Sequence, residues 1–196
     1  MKKSYEAELP AGYTETKIID AKNTKLAVIL NVIALIITVA VITITYFIIR
    51  PKESYFSSIS NSRIIIFIII LLAYIILHEL VHGVAYKLLT KQKLKFGLTL
   101  SVAYCGVPDI YVYRKAALIA LLAPLIVFLF IFGLPVFIFA DSWDKIYASA
   151  LLGLHIGGCS GDIYDTLLYL FKFRSNDTLM RDTGPKQIFY TKISEQ

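Results

Sequence analysis

The sequence predicts a mainly α-helical membrane protein: a polytopic bundle of four transmembrane helices with a small β-hairpin between helices two and three. Hydrophobic residues make up 57% of the 196 residues and charged residues only 17%, which is more apolar than a soluble domain. Four apolar segments each reach the roughly 20 residues that cross a bilayer. A stretch of period-two alternation after the second segment predicts the hairpin.

The four apolar segments are the predicted helices, at about 26–49, 64–89, 116–140 and 146–171. They divide the chain into a leader at 1–25, a membrane bundle at 26–172 and a tail at 173–196. Each segment is long enough to cross a hydrocarbon core of roughly 30 Å as a helix. We therefore expect an integral membrane protein organised as one bundle.

Lysines and arginines are concentrated in the leader, the second loop and the tail, whereas the third loop contains only Lys145. Cytoplasmic segments of membrane proteins carry such an excess of positive charge. We therefore place both termini in the cytoplasm and the protein in the plasma membrane. The net charge of +6 is spread over loops and tails. Membrane orientation explains it, and it predicts no nucleic-acid partner.

The predicted hairpin begins with LKFGLTLSVAY, residues 94–104, in which large apolar side chains alternate with smaller or polar ones. This alternation is typical of a strand. The turn-forming CGVPD and the following IYVY complete a hairpin at about 94–113. An open sheet edge cannot face lipid, so we expect it at the cytoplasmic interface or against a water-filled cavity. A surface hairpin that only caps the bundle is the alternative.

The second apolar segment contains HELVH, which places His78, Glu79 and His82 within five residues. Residues four apart lie on one helix face, so the two imidazoles can bind one metal ion. Glu79 can then act as general base for a water that zinc makes acidic. In a soluble helix, surface histidines and a surface glutamate would often be the better interpretation. Ionisable groups are costly at bilayer depth, which favours a metal site here.

Zinc peptidase sites use three protein ligands and leave one position open. The candidates for the third ligand are His155, Cys159, Asp162 and Asp165 in the fourth segment. At 1.5 Å per residue, the two motif histidines lie about 22 and 28 Å along helix two from Arg63. Asp162 lies about 26 Å along helix four from Lys145, and His155 only about 15 Å. Asp162 is therefore the predicted third ligand, and His155 is predicted to line the cavity or contact substrate.

The remaining candidates have simpler interpretations. Asp165 follows Asp162 by one turn and is either a hydrogen-bond acceptor for a metal ligand or a solvated residue near the helix end. Cys159 can reach the metal, but a small buried core residue is the more common situation. Glycines 157, 158 and 161 can unwind this helix and change the depths above.

Three features resemble site-2 proteases and a smaller group of zincin-like membrane peptidases related to them. These are HELVHG near the cytoplasmic end of a helix, the hairpin after it, and ALIALLAPL opening the next helix. The smaller group pairs His-Glu-x-x-His with a later Gly-Asp preceded by small residues, as in GGCSGD here. The Asn-Pro-Leu-Asp-Gly style motif of typical site-2 proteases is absent.

The resemblance covers about 60–190. It implies that His78, His82 and Asp162 bind Zn2+ and that Glu79 is the catalytic base. Where this chain has His155, the related proteins more often carry an asparagine thought to stabilise the reacting carbonyl. A histidine can donate the same hydrogen bond, so the resemblance implies a catalytic role for His155.

These observations predict a zinc-dependent, membrane-embedded endopeptidase that hydrolyses peptide bonds of membrane or membrane-proximal substrates. Its partners are then a membrane protein or peptide substrate and the lipid bilayer. The alternatives are a non-catalytic membrane protein with a structural metal site, a pseudo-protease that binds partners, and a metal-binding transporter. Glu79 favours the enzyme, because a structural site needs no base. The absence of paired half-helices and inverted repeats disfavours the transporter.

A membrane substrate must be unwound before hydrolysis, because the peptide bond inside a helix is protected. Its freed backbone groups then need partners, since each unpaired group costs several kcal/mol in lipid. The predicted strand at 94–104 can offer them an edge. We therefore predict that substrate pairs with this strand in extended form, at Thr99 and Ser101.

Overall fold

The computed structural model describes residues 3–21, 23–51, 60–98 and 103–193 of the chain. These residues form two compact units. The sheet unit comprises Met1–Ala27, His78–Pro124 and Asp162–Gln196, and the helical unit comprises Val28–Leu77 and Leu125–Gly161.

Three long apolar helices lie close to their predicted positions: α1 at Thr24–Ile49, α2 at Asn61–Thr90 and α3 at Arg114–Ile138. Each is long and apolar enough to cross a membrane. The shortest has 25 residues and covers about 37 Å, more than a hydrocarbon core of about 30 Å. Large apolar side chains such as Phe47 and Phe137 are exposed on them, as lipid-facing side chains are. The prediction of a mainly helical protein is confirmed.

The predicted fourth span does not form one helix. It forms α4 at Ser142–Gly158 and α5 at Ser160–Phe171, separated by Cys159. Asp141 caps α4, because its carboxylate accepts hydrogen bonds of 2.8 and 2.9 Å from two backbone N–H groups of the first turn. The glycines at 157, 158 and 161 favour the break, since glycine is a poor helix former. Neither helix is among the three that are long enough to span by themselves.

A five-stranded antiparallel sheet is the main feature absent from the sequence prediction. Its strands are β1 at Tyr5–Glu6, β2 at Tyr13–Asp20, β5 at Tyr111–Tyr113, β6 at Leu179–Asp182 and β7 at Lys186–Lys192. They lie in the order β1-β5-β6-β7-β2. The predicted leader, second loop and tail therefore join in one sheet and are not separate segments.

A two-stranded hairpin lies between β2 and β5 in the chain, in the second loop, and it is smaller than predicted. Strand β3, Lys95–Leu98, pairs with β4, Ala103–Gly106, so that Phe96 lies opposite Cys105. The single strand predicted at 94–104 is wrong, because it includes parts of both arms. The IYVY segment pairs as β5 in the large sheet instead. Alternation is the same in both arms of a hairpin, so the pattern does not locate the reversal.

The core of the sheet unit fixes the end of α2 that carries the histidines. Its fully buried side chains include Tyr86, Val112, Tyr169 and Phe189. The Phe189 ring lies 5.1 Å from the Tyr169 ring, measured between centroids. Tyr86 is 1% exposed and follows His82 by one helical turn. The hydrophobic core therefore holds the motif helix against the strands.

Candidate metal centre

His78, Glu79 and His82 lie on α2 within the sheet unit. The helix is continuous through them, so the spacing of four residues places both imidazoles on one face. Their ring centroids are 5.0 Å apart. His78 is 9% exposed and His82 7% exposed. Both rings are therefore largely removed from solvent and need partners inside the protein.

Asp162, in the first turn of α5, faces both rings. Its Oδ2 lies 3.3 Å from Nε2 of His78, and its Oδ1 lies 3.4 Å from Nε2 of His82. One carboxylate thus reaches both histidines. The structure brings the three predicted ligands together in one unit, and their role as ligands stays a prediction.

A backbone carbonyl sets the tautomer of His82. Its Nδ1 lies 2.9 Å from the carbonyl oxygen of Ala120 on α3. Because a carbonyl oxygen only accepts, Nδ1 carries the hydrogen and donates it. In the neutral ring, Nε2 is then unprotonated and its lone pair is directed at Asp162. Metal-binding histidines are commonly oriented by such a hydrogen bond from the other ring nitrogen.

This donor set fits a zinc ion. An unprotonated Nε2 and a carboxylate are both acceptors, so their approach to 3.4 Å is stable only with a proton or a cation between them. Two imidazoles and one carboxylate are the ligand types of several zinc peptidases. The residues that would hold the ion are therefore His78, His82 and Asp162.

Glu79 is placed to serve as the base. One ligand atom each from His78, Glu79 and His82 lies within 4.8 Å of the other two. The backbone N–H of Cys105, on β4, interacts with the Glu79 carboxylate. The hairpin therefore lies close to Glu79. If Asp162 is the third ligand, Glu79 remains free to act on a water beside the ion, and this role of Glu79 stays a prediction.

The hairpin is packed closely on the motif helix at Gly83. A Cβ added to Gly83 would lie 2.6 Å from Cζ of Phe96 and 3.2 Å from Sγ of Cys105. Only glycine leaves room for this approach. Close packing of the hairpin on α2 beside Glu79 therefore explains why HELVHG ends in a glycine, Gly83.

Cys105 is not a nucleophile in this site. Burial, reinforced by the nearby carboxylates of Asp182 and Glu79, raises the pKa of its thiol to about 12. The side chain is 5% exposed. A buried neutral thiol packs as a small apolar group and is a poor nucleophile.

His155 lies in the helical unit, on α4. Its Nε2 is 3.1 Å from the Leu125 carbonyl oxygen, and its Nδ1 is 3.0 Å from the Tyr74 hydroxyl. The carbonyl fixes the hydrogen on Nε2, so Nδ1 of the neutral ring accepts from Tyr74. Phe128 and Phe132 contact the same ring. The role of His155 as an oxyanion donor stays a prediction, and it would require the ring to release the Leu125 carbonyl.

The other predicted residues are placed as follows. Cys159 is fully buried, with its Sγ 3.6 Å from Nδ1 of His155, as expected for a core residue. Asp165 is 4% exposed, so its interpretation as a solvated residue is wrong. Its Oδ1 has no hydrogen-bond partner among the residues that the structure describes. The predicted substrate residues Thr99 and Ser101 lie outside the described residues.

Three groups around the site were not predicted from the sequence. The Ala120 carbonyl orients His82, and Tyr86 donates a hydrogen bond of 2.8 Å to Asp182. Burial raises the pKa of Asp182 to about 6, although the Gly184 N–H and the Tyr86 hydroxyl favour its charged form. A backbone carbonyl has no sequence signature. Asp182 lies in the predicted tail, where a charged residue is ordinarily solvated.

Comparison with known families adds an independent observation. The family described as "Putative zincin peptidase" matches residues 70–177, more than half of the chain. The match includes the HELVH motif, the hairpin and Asp162, and it ends before β6. No curated protein and no solved structure matches the chain. A zincin family implies zinc as the metal, in agreement with the two imidazoles and the carboxylate described above. The chain belongs to the family described as "Putative zincin peptidase".

Proposed function

We propose that this protein is a zinc-dependent, membrane-embedded endopeptidase that hydrolyses peptide bonds of membrane or membrane-proximal substrates. Family membership supports zinc peptidase activity. Three helices long enough to cross a bilayer support membrane association. The observation that carries the proposal is the Asp162 carboxylate, which faces both motif histidines while Glu79 lies beside them.

Different residues of the sheet unit are proposed to bind the metal and to transfer the proton. Zinc, when bound, acidifies water and polarises the carbonyl of the peptide bond. His78, His82 and Asp162 hold the ion in a desolvated site, where their charges and dipoles act strongly. Glu79 accepts the proton of the attacking water and delivers it to the nitrogen of the departing amine.

Replacement of the base tests the enzymatic part. The Glu79→Gln protein should keep its zinc and lose hydrolysis, because a glutamine amide is not a base and Glu79 is not among the three ligands. Membrane proteomes of cells that express wild type or Glu79→Gln should differ in the abundance of substrates and fragments. Identical proteomes, with zinc present in both proteins, would favour a structural metal site or a pseudo-protease.

The large sheet supports a proposed membrane topology. Leader, second loop and tail contribute strands to one sheet, and a sheet with open edges is not stable in hydrocarbon. These three segments therefore lie on one side of the membrane, and their positive charge places that side in the cytoplasm. The chain must then cross back between α3 and β6, which leaves residues 142–171 as the fourth crossing.

Reporter fusions test this topology. A reporter fused at Lys91 should be cytoplasmic, and one fused at Ser57 should be external. The opposite pattern would overturn the orientation, and two reporters on the same side would exclude α2 as a spanning helix.

Substrate binding by the hairpin is also a proposal. In the described part of the chain, β3 pairs only with β4, and its other edge is the proposed site for a substrate strand. Proline removes a strand donor, so Thr99→Pro and Ser101→Pro should each be made. At least one should reduce proteolysis sharply with zinc content unchanged. Normal cleavage by both proteins would leave the hairpin with only a capping role.

A further inference from the structure

Asp182, at the end of β6, is a buried carboxylate that the proposed chemistry does not use. It is 3% exposed. Its Oδ2 accepts a hydrogen bond of 2.8 Å from the Tyr86 hydroxyl, and its Oδ1 accepts one of 2.8 Å from the Gly184 N–H. Buried carboxylates are costly, so one with two dedicated donors has a specific structural or functional role.

Asp182 also contacts the C-terminal end of the hairpin. The backbone N–H of Val107 donates to the Asp182 carbonyl oxygen at 2.9 Å. A Cβ added to Gly106, the last residue of β4, would lie 2.8 Å from that oxygen and 2.9 Å from Oδ1 of Asp182. Strand β4 therefore ends in direct contact with Asp182.

Two short connections lead from Asp182 to the catalytic residues. The hydrogen bond from the Tyr86 hydroxyl to Asp182 fixes α2 one helical turn beyond His82. Through Gly106, Asp182 holds β4 at the residue after Cys105, whose backbone N–H interacts with the Glu79 carboxylate. Asp182 thus joins α2, which carries Glu79, to β4, which packs on α2 at Gly83 through Cys105.

We infer that Asp182 is a positioning residue for Glu79, which acts by fixing β4 against α2 through the Tyr86 hydroxyl and the Gly106–Val107 backbone. This inference rests on the proposed function, because it assigns Glu79 the role of base. Asp182 lies beyond the range 70–177 that matches the family. The C-terminal strands of this chain are therefore part of the catalytic arrangement.

Two substitutions weaken this junction with little change in shape. Tyr86→Phe removes one hydroxyl donor, and Asp182→Asn replaces one acceptor oxygen with an amide that cannot accept. Tyr169→Phe is the matched control. Tyr169 is a fully buried tyrosine of the same unit, and its hydroxyl has no hydrogen-bond partner among the described residues.

The position of β4 can be measured without a substrate. The chain has two cysteines, Cys105 and Cys159, so a Cys159→Ser background leaves Cys105 as the single thiol. Its reaction with N-ethylmaleimide in detergent micelles reports opening of β4 from α2. Tyr86→Phe and Asp182→Asn should each raise the reaction rate by about 10-fold or more, whereas Tyr169→Phe should not. Unchanged rates in both variants would overturn the inference.

Hydrolysis of fluorescein-labelled β-casein, with zinc content measured in parallel, tests the effect on Glu79. Both variants should keep zinc and KM within about twofold, while kcat falls by about 10- to 100-fold, as expected for a misplaced catalytic group. Loss of zinc, or a fall in kcat as large in Tyr169→Phe, would contradict a positioning role. If wild type cleaves casein no faster than Glu79→Gln, the proposed function fails with this probe. The thiol rates then still decide whether Asp182 fixes β4.

Discussion

Buried histidines occur in both units, and the groups that surround them differ. In the sheet unit, His82 donates from Nδ1 to a backbone carbonyl and directs Nε2 at the Asp162 carboxylate. In the helical unit, His155 donates to a backbone carbonyl and accepts from the Tyr74 hydroxyl. The two histidines differ in the group that faces the second ring nitrogen. A hydroxyl donor satisfies the second nitrogen of a neutral ring, whereas a carboxylate beside that nitrogen requires a proton or a metal ion between the two groups.

Burial alone therefore does not distinguish a metal ligand from a core histidine. His155 is more buried than either motif histidine, with no exposed surface, yet its neutral ring is satisfied. The carboxylate that faces Nε2 of His82 is the informative feature. Substitutions at the two histidines and at their partners can test this contrast.

Removal of a motif histidine should abolish metal binding. His78→Ala and His82→Ala each remove one of three ligands, so zinc affinity should fall by more than about 100-fold, the upper range for loss of a ligand's outer partner. Competition with a chelator of known affinity measures the change. His155→Ala is the control and should retain zinc. Loss of zinc in that control would make His155 a ligand and remove the contrast.

His155→Ala should instead destabilise the helical unit. The substitution opens a cavity and leaves the Tyr74 hydroxyl and the Leu125 carbonyl without this partner, which should cost about 3 to 5 kcal/mol of unfolding free energy. Denaturant unfolding in detergent micelles measures it.

A catalytic role of His155 would give different results for turnover and stability. A fall in turnover of about 10² to 10³ without loss of stability, partly recovered in His155→Asn, would support the oxyanion role.

Asp182 should make stability depend on pH. Burial raises its pKa to about 6 from an ordinary value of 3.8, so the folded protein binds this proton more tightly than the unfolded chain does. Stability from this group is present at low pH and is lost as pH rises from about 4 to about 6, by roughly 3 kcal/mol in all.

Asp182→Asn removes this titration. The unfolding free energy of wild type minus that of the variant should therefore fall across this window and then become constant. A difference that does not change with pH would show that Asp182 titrates normally.

The smallest effect is expected for Tyr74→Phe. It removes the hydroxyl that donates to His155 and should cost about 1 kcal/mol of unfolding free energy, with zinc affinity unchanged. Tyr169→Phe, whose hydroxyl lacks a partner among the described residues, should be neutral or slightly stabilising. Equal effects in both variants would show that the hydrogen bond to His155 contributes little.

Much of the helical structure follows from local pattern. The apolar segments predict α1, α2 and α3 to within about three residues, because long apolar runs specify spanning helices without help from distant residues. The same pattern predicts the fourth span as one helix, because hydrophobicity alone does not show that the glycines at 157, 158 and 161 interrupt it. The depth along that span nevertheless places Asp162 level with the motif histidines, where the structure also puts it.

The sheet cannot be predicted in the same way. Strand β2 pairs with β7 from the other end of the chain, and a pairing over such a sequence separation leaves no local signal. The same limit applies to the site. HELVH identifies its own residues by spacing, whereas Asp182 and the Ala120 carbonyl join the site only through tertiary contacts.

The zinc content of Asp162→Ala decides whether one carboxylate completes the set of metal ligands with His78 and His82. Asp165→Ala is the matched control, because Asp165 lies one turn further along α5 and is 4% exposed. Elemental analysis of the purified proteins should give about one zinc per chain for wild type and the control, and almost none for Asp162→Ala. Full zinc retention in Asp162→Ala would contradict the account and leave His155 as the next candidate ligand.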